Sequence, residues 1–440
     1  AHWKHHLKFT LPNLQEAYQS GVETGDLEYA AWSACLWSIG VYWVGRNLSD
    51  LDQALQNYAE VVEQWKQNNA FVYINIHRQS ALNLMGQTPK PSLFEGPYYS
   101  ETENIPIQIK AGDRTGLFIS YVNQLQLRYL FDELESAIEA ANFAKQYEDG
   151  GMGVFTNIPL YLYDSLTKLA LYSTATKTEG LRLLRQVSKN QKKLKKWASF
   201  APMNSLHKWN LVEAERYRVL GKHTKAITCY DCAISRAQEN GYLQDEALAN
   251  ELAAKFYLEW DKDKVAAAYM QEAYYCYSRW GAKAKTDDLE KRYPDLLRPI
   301  FEQATQILNP LESLTAITAP NFSIHSSTTR NSTSTTSINA ALDFATVIKA
   351  SQTLSGTIEH SELLSQLTQI ILQNSGGDYC ALILPNADRE WCVEAIATPE
   401  TIELCSQPLD GNLNLPVRLI HYVKNTQQLA VIDNLKTDLP

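Results

Sequence analysis

The chain has 440 residues, 45% hydrophobic and 20% charged, enough apolar material for more than one core. Its 40 basic and 49 acidic residues leave a formal charge of −9, which excludes a general nucleic-acid binder, because phosphate neutralisation needs clustered Lys and Arg. No apolar run reaches the roughly 20 residues that span a bilayer and no charged-then-apolar leader opens the chain, so a cytoplasmic protein with no membrane association is expected.

At the start, His2, His5 and His6 have metal-ligand spacing if helical, but they are expected at a frayed end and not in a site. From Gly25 to about residue 308 the apolar residues recur at helical spacing. Residues 27–44, 51–65 and 71–85 read as helices. Ser49 to Asp52 offers a capping-box-like start, and Leu51, Leu55, Tyr58, Val62 and Trp65 form an apolar stripe. Pro89, Pro91, Pro97 and Pro106 then predict a long irregular surface excursion, since proline withholds a donor and restricts the residue before it. Helices resume over 117–130 and 133–147, stop at a flexible glycine run (Gly150, Gly151, Gly153), and continue over 160–172 and 179–197. The basic run Lys189 to Lys196 is read as the solvated face of the last of these, the alternative being a site for an acidic partner or a phosphate-rich surface.

The clearest internal repeat lies between Leu206 and Arg279. Leu220, Gly221, Ala226, Tyr230 and Ala233 have the spacing at which tetratricopeptide repeats turn from one helix to the next, and Trp260, Asp261, Ala266, Met270 and Ala273 repeat it about 40 residues later. That period exceeds the usual ~34, and Asp261 stands where a turn glycine is expected, so the pattern is TPR-like. Tyr269, Tyr274, Tyr275, Tyr277 and Trp280 are read as core. Cys229 and Cys232 form a CxxC without a second pair, and are read as buried small apolar residues. The seven scattered cysteines suit reduced thiols.

Ser326 to Ser337 is a Ser/Thr tract that buries too little apolar area to offset its ordering entropy, and reads as a tether. Beyond it, residues 342–354 and 362–373 read as helices, 379–384 and 391–396 as strands, 417–423 as a short helix and 429–432 as a strand. The first residue is not Met and the last three follow a strand in mid-pattern, so the chain reads as an excerpt of a longer protein whose final domain is cut short.

No catalytic constellation is complete. Gly221 and Lys222 are followed by His223 in place of the Ser or Thr of a phosphate loop, and Gly150 to Gly153 lacks a flanking strand and a following Lys. His360, with Ser361, Glu362 and Leu363, superficially matches a phospho-acceptor box but lacks the basic residue and Thr-Pro that follow it, and is expected to start a helix. No catalytic or metal-binding residue is therefore assigned, and no cofactor is expected in this segment.

Residues 211–221, 246–257, 273–277, 279–285 and 288–294 resemble, in wording as well as period, the helical region of large bacterial hybrid kinases. Residues 342–355 resemble the opening of that family's GAF domain, and 411–434 its later helix and strand. In the family, a serine/threonine kinase domain and an AAA-type, STAND-like ATPase precede the helical region, and a GAF domain and a histidine kinase follow it. The resemblance implies a mainly α chain: a TPR-like superhelical α-α repeat array over residues 1–309, a Ser/Thr-rich linker over 310–338, and the N-terminal part of an α+β GAF domain over 339–440. It carries over no catalytic residue. The GAF ligand is left open between a cyclic nucleotide, a tetrapyrrole and none, with Cys380, Cys392 and Cys405 read as packing residues. The implied role is regulatory, scaffolding and sensory within a two-component signalling kinase. Its partners would be the other domains of the same polypeptide and proteins docking on the repeats, with dimerisation through the GAF and C-terminal parts of the parent. The competing reading is the sensor arm of a STAND-type transcription regulator, and the GAF-like tail counts against it.

Overall fold

A computed structural model describes residues 2–300 and, beyond them, 379–385, 391–398, 401–409 and isolated positions up to 420. The chain divides into two compact units, Ala1–Phe301 and Glu302–Pro440. The tether, His360 and the expected strand at 429–432 lie outside the described residues. So does most of the two expected helices at 342–373, of which Thr368 and Leu372 are described and helical.

The first unit is all helical: α1 (Leu11–Thr24), α2 (Leu27–Val44), α3 (Leu48–Gln64), α4 (Asn68–Leu84), α5 (Glu101–Ala111), α6 (Arg114–Leu130), α7 (Leu134–Gln146), α8 (Asn157–Leu171), α9 (Lys177–Phe200), α10 (Pro202–Val219), α11 (His223–Glu239), α12 (Leu243–Glu259), α13 (Asp263–Trp280) and α14 (Lys283–Arg292). Short turns in the left-handed region join many of them. Gly221, Gly241 and Gly281 sit at residue steps of 20 with Asp261 between them at φ 53°, so the aspartate adopts the glycine-like conformation its position demands.

Helices α2, α4, α6, α8, α10 and α12 form an inner row, each packing on the next, while the helices between them cover the outside. The inner helices are buried on nearly every face. Open repeat arrays keep contacts between neighbouring repeats alone. Here the two ends of the row also meet. Gln244, opening α12, donates through Nε2 to the Trp43 carbonyl at the end of α2 (2.8 Å), and Asn47 donates to the Arg279 carbonyl at 3.1 Å. Lys285 of α14 donates to the Leu130 carbonyl at the end of α6 (2.8 Å). Across the interior, the Tyr42 hydroxyl donates to Gln126 Oε1 at 2.6 Å, and Gln126 donates on to the Tyr163 oxygen at 3.3 Å. The inner face of the row is thus filled by side chains.

Several local expectations are corrected. Helix α3 begins at Leu48, capped by Asn47, whose Oδ1 accepts from the Ser49 and Asp50 amides, and not by Ser49. Pro106 lies inside α5, which starts at the Ser100 cap. The irregular segment before it is docked onto α4: Asn83 Nδ2 donates to the Pro91 and Leu93 carbonyls at 3.0 and 2.6 Å, Gln79 Oε1 accepts from the Tyr98 amide at 3.1 Å, and Phe94 and Tyr99 are buried. The glycine run is packed: a Cβ at Gly151 would lie 2.2 Å from the Phe118 ring and one at Gly150 2.5 Å from the Arg114 carbonyl. Cys229 and Cys232 are half-buried, not buried, and burial pushes the Cys229 thiol up to about 11.

In the second unit, β1 (Cys380–Pro385), β2 (Trp391–Ala397) and β3 (Ile402–Pro408) form an antiparallel sheet in the order β1-β2-β3, with Cys380 opposite Ala397 and Ala395 opposite Leu404. Val393, Ala395 and Ala397 are buried at alternate positions of the central strand. Strand β3 was not anticipated: Glu403, Ser406 and Gln407 dilute its apolar alternation, and Pro408 ends it.

Candidate functional site

Two buried polar clusters hold the closure of the first unit. The first clasps the N-terminal segment. Asn204 of α10 is fully buried. Its Oδ1 accepts from the Leu7 amide (3.0 Å) and the Tyr242 hydroxyl (2.7 Å), while Nδ2 donates to the His2 and His5 carbonyls at 2.7 and 2.8 Å. His6 stacks on Tyr242 and donates through Nε2 to the Asn240 carbonyl at 2.8 Å. Beneath them Asp245 receives the Lys208 ammonium at 2.7 Å and the His207 imidazole at 2.9 Å. Burial alone would raise the Asp245 carboxyl, but Lys208 and His207 hold it below its ordinary value. Burial pushes the His207 imidazole down to about 4.

The second cluster centres on Glu251 of α12, 2% exposed. It receives the ammonium of Lys255 at 2.9 Å, the ammonium of Lys285 at 3.1 Å and the Tyr277 hydroxyl at 2.8 Å, with the Arg292 guanidinium at 3.7 Å. Burial opposes ionisation, yet Lys255, Lys285 and Arg292 outweigh it and hold this carboxyl well below the usual carboxylate range. Lys285 is fully buried, so Glu251, Asp288 at 3.2 Å and the Leu130 carbonyl are what its charge has in place of water. A third group, Asp164 of α8, is fully buried and accepts from Lys168, from Lys145 at 2.5 Å and from Asn190 at 2.5 Å. Burial pushes the Lys168 ammonium down to about 8 against the pull of Asp164.

These clusters spend their charges on one another, with His207 Nδ1 and Arg292 Nε among their buried polar atoms left without a hydrogen-bond partner. What they do is fix helix against helix at points remote in sequence. On the surface, α5, α6 and α7 frame a shallow cleft of about 290 Å³ lined by Glu101, Tyr121, Gln124, Arg128 and Phe143. Its arginine is already committed to Glu101 through bonds of 2.9 and 3.0 Å. Among the described residues there is no group of three or more His, Cys, Asp or Glu placed to hold a metal ion, and no helix is long and apolar enough to cross a membrane.

No family model matches the chain. Two curated proteins are similar to parts of it, and both are histidine kinases. Hybrid signal transduction histidine kinase G of Dictyostelium discoideum is 48% identical over 63 residues, 14% of this chain and 2% of that protein. Peroxide stress-activated histidine kinase mak3 of Schizosaccharomyces pombe is 24% identical over 222 residues, 43% of this chain and 9% of that protein. The chain therefore spans a small fraction of either relative's length, and its similarity to signal-transduction histidine kinases is partial.

His2 and His6 are not at a frayed end: His6 is buried in the clasp, and His2 meets the Phe155 ring at 5.7 Å. Gly221 and Lys222 form the turn between α10 and α11. Tyr274, Tyr275, Tyr277 and Trp280 are buried and Tyr269 is half-buried. The closing residues Asn204, Asp245, Glu251 and Lys285 were not singled out by the sequence reading. One signal was available: in α12 the polar residues Gln244, Asp245, Asn250 and Glu251 alternate with alanines on all sides, the mark of a helix approached closely from every direction.

The buried imidazoles make the unit acid-sensitive. His77 is fully buried on the Tyr42 ring, donates from Nδ1 to the Tyr73 carbonyl at 2.9 Å, and burial lowers it from 6.5 to about 4. The unfolded chain binds its proton first as pH falls, so stability present above pH 6.5 is lost on acidification toward pH 4. A His77→Gln variant is expected to melt with a flatter pH dependence than the parent in that window; parallel profiles would contradict it.

Proposed function

We propose that this chain is a regulatory and scaffolding segment of a multidomain signal-transduction kinase, with a TPR-like helical unit followed by the start of a GAF sensor domain. The observation that carries this reading is the partial similarity to two histidine kinases in a chain whose buried charges, among the described residues, are spent on internal joints. In this reading the parent also carries a serine/threonine kinase and a STAND-like ATPase, and the helical unit lies between that ATPase and the sensor. With its inner face filled by Tyr42, Gln126 and Tyr163, the unit offers partners its outer helices and passes strain between its ends as one body. The three-stranded sheet supplies part of the sensor, whose ligand is a small molecule.

The 440-residue chain alone is expected neither to hydrolyse ATP nor to autophosphorylate; stoichiometric labelling of His360 from ATP would refute this. In the full-length parent, deletion of residues 2–300 should leave phosphoryl transfer intact but abolish its response to the input signal. Unaltered regulation after the deletion would overturn the proposal.

A further inference from the structure

Helix α9 is the most one-sided element in charge. It holds eight of the chain's 40 basic residues and one of its 49 acidic ones, so it carries +7 and the rest of the chain −16. Its buried face, Leu183, Val187, Asn190, Gln191, Leu194 and Ala198, packs into the fold against α8 and α10. Directly opposite runs an exposed row, Arg182, Arg185, Lys189, Lys192 and Lys196, at alternating steps of three and four residues. At ~1.5 Å per residue the row is about 21 Å long and one side chain wide. Arg182 is held by Glu179 at 2.6 Å. Arg185, Lys189, Lys192 and Lys196 have no carboxylate at ion-pair distance among the described residues, whereas Lys193 beside them is bound to Glu148 at 3.1 Å.

Like charges held in a row repel, and an unrelieved row in an otherwise acidic molecule is a cost without a structural return. We propose that this row is a docking surface for an acidic helical segment of a partner protein, one with carboxylates at the matching heptad spacing. The geometry favours this occupant. A single helix matches a narrow, straight row at heptad steps, as charged flanks do in coiled coils. A bilayer or a nucleic acid extends well beyond 21 Å and the row is one side chain wide, and the apolar face of α9 is spent inside the fold, leaving none to insert into lipid. The inference deepens the scaffolding reading by naming the chemistry of one partner.

The test uses the whole chain and a fluorescent helical peptide with glutamates at heptad positions, read by anisotropy. The expected result is binding that weakens about tenfold when Arg185, Lys189, Lys192 and Lys196 are all changed to Gln, and weakens comparably when salt screens the pair. A control with Lys222, Lys225, Lys262 and Lys264 changed to Gln, equally exposed, should bind as the parent does. Equal loss in both variants would reduce the effect to net charge and overturn the proposal. So would vesicles of phosphatidylserine, or duplex DNA, binding more tightly than the peptide and with the same dependence on the row. Because the readout is peptide binding and not kinase output, its failure leaves the regulatory reading standing, and the deletion experiment above tests that reading separately.

Discussion

Glu251→Leu is expected to be the most damaging single substitution in the helical unit. It removes the carboxylate that Lys255, Lys285 and Arg292 share, and Lys285, fully buried, is left with its charge facing Asp288, a backbone carbonyl and the Tyr277 and Phe131 rings. Breaking one side of a buried ion pair costs about 3–5 kcal/mol. For a unit of this size that lowers the melting transition by roughly 5–10 °C. Lys255 and Arg292 keep about a quarter of their side-chain surface in water, so they can turn outward, and Arg292 also has Asp132. The damage should therefore sit mainly on Lys285. Adding Lys285→Met to Glu251→Leu is expected to recover more than half of the loss. A double variant less stable than the single one would show that the cluster does not act as drawn.

Asn204→Ala should produce the second-largest effect, and a local one. Its carboxamide holds four partners: the Leu7 amide, the Tyr242 hydroxyl, and the His2 and His5 carbonyls. Each buried polar group left unpaired costs about 1–3 kcal/mol, but the segment before α1 can peel away to water, so the penalty is capped at the cost of undocking it. Backbone amides of residues 7–10 should then exchange at least tenfold faster while those of α6 keep their rates. Asn204→Asp, which retains the acceptor and loses both donors, should fall between. Unchanged exchange at residues 7–10 would mean that the clasp does not hold the segment.

The helices were legible because their signal is local. Periodicity placed α2 on its observed bounds and α3, α4, α6, α7, α8 and α9 within a few residues, but α1 and α5 were not read as helices; the small residues at 226, 233, 266 and 273 marked close packing that is present. Docking was illegible. Prolines and glycines between residues 86 and 112 or 150 and 153 read as loops, which they mostly are, but nothing in their order shows that Gln79 and Asn83 would bind the first stretch or that Phe118 would press on Gly151. The closing clusters were illegible for the same reason: Asn204 reaches the first residues of the chain and Lys285 reaches Leu130, and no pattern of short period carries such a pairing. In the second unit, the two strands with apolar alternation were found and the more polar third strand was not.

The central claim is that the first unit is a closed row of helices with a filled interior, behaving as one body. Hydrogen exchange followed by mass spectrometry on the 440-residue chain tests it most directly. In an open array the terminal repeats fray first and protection falls from the middle outward. In the closed one, peptides from α2 and α12 should be as protected as those from α6 and α8 and should lose protection together under rising denaturant. Progressively faster exchange toward α2 and α12, with α6 and α8 alone retained, would contradict it.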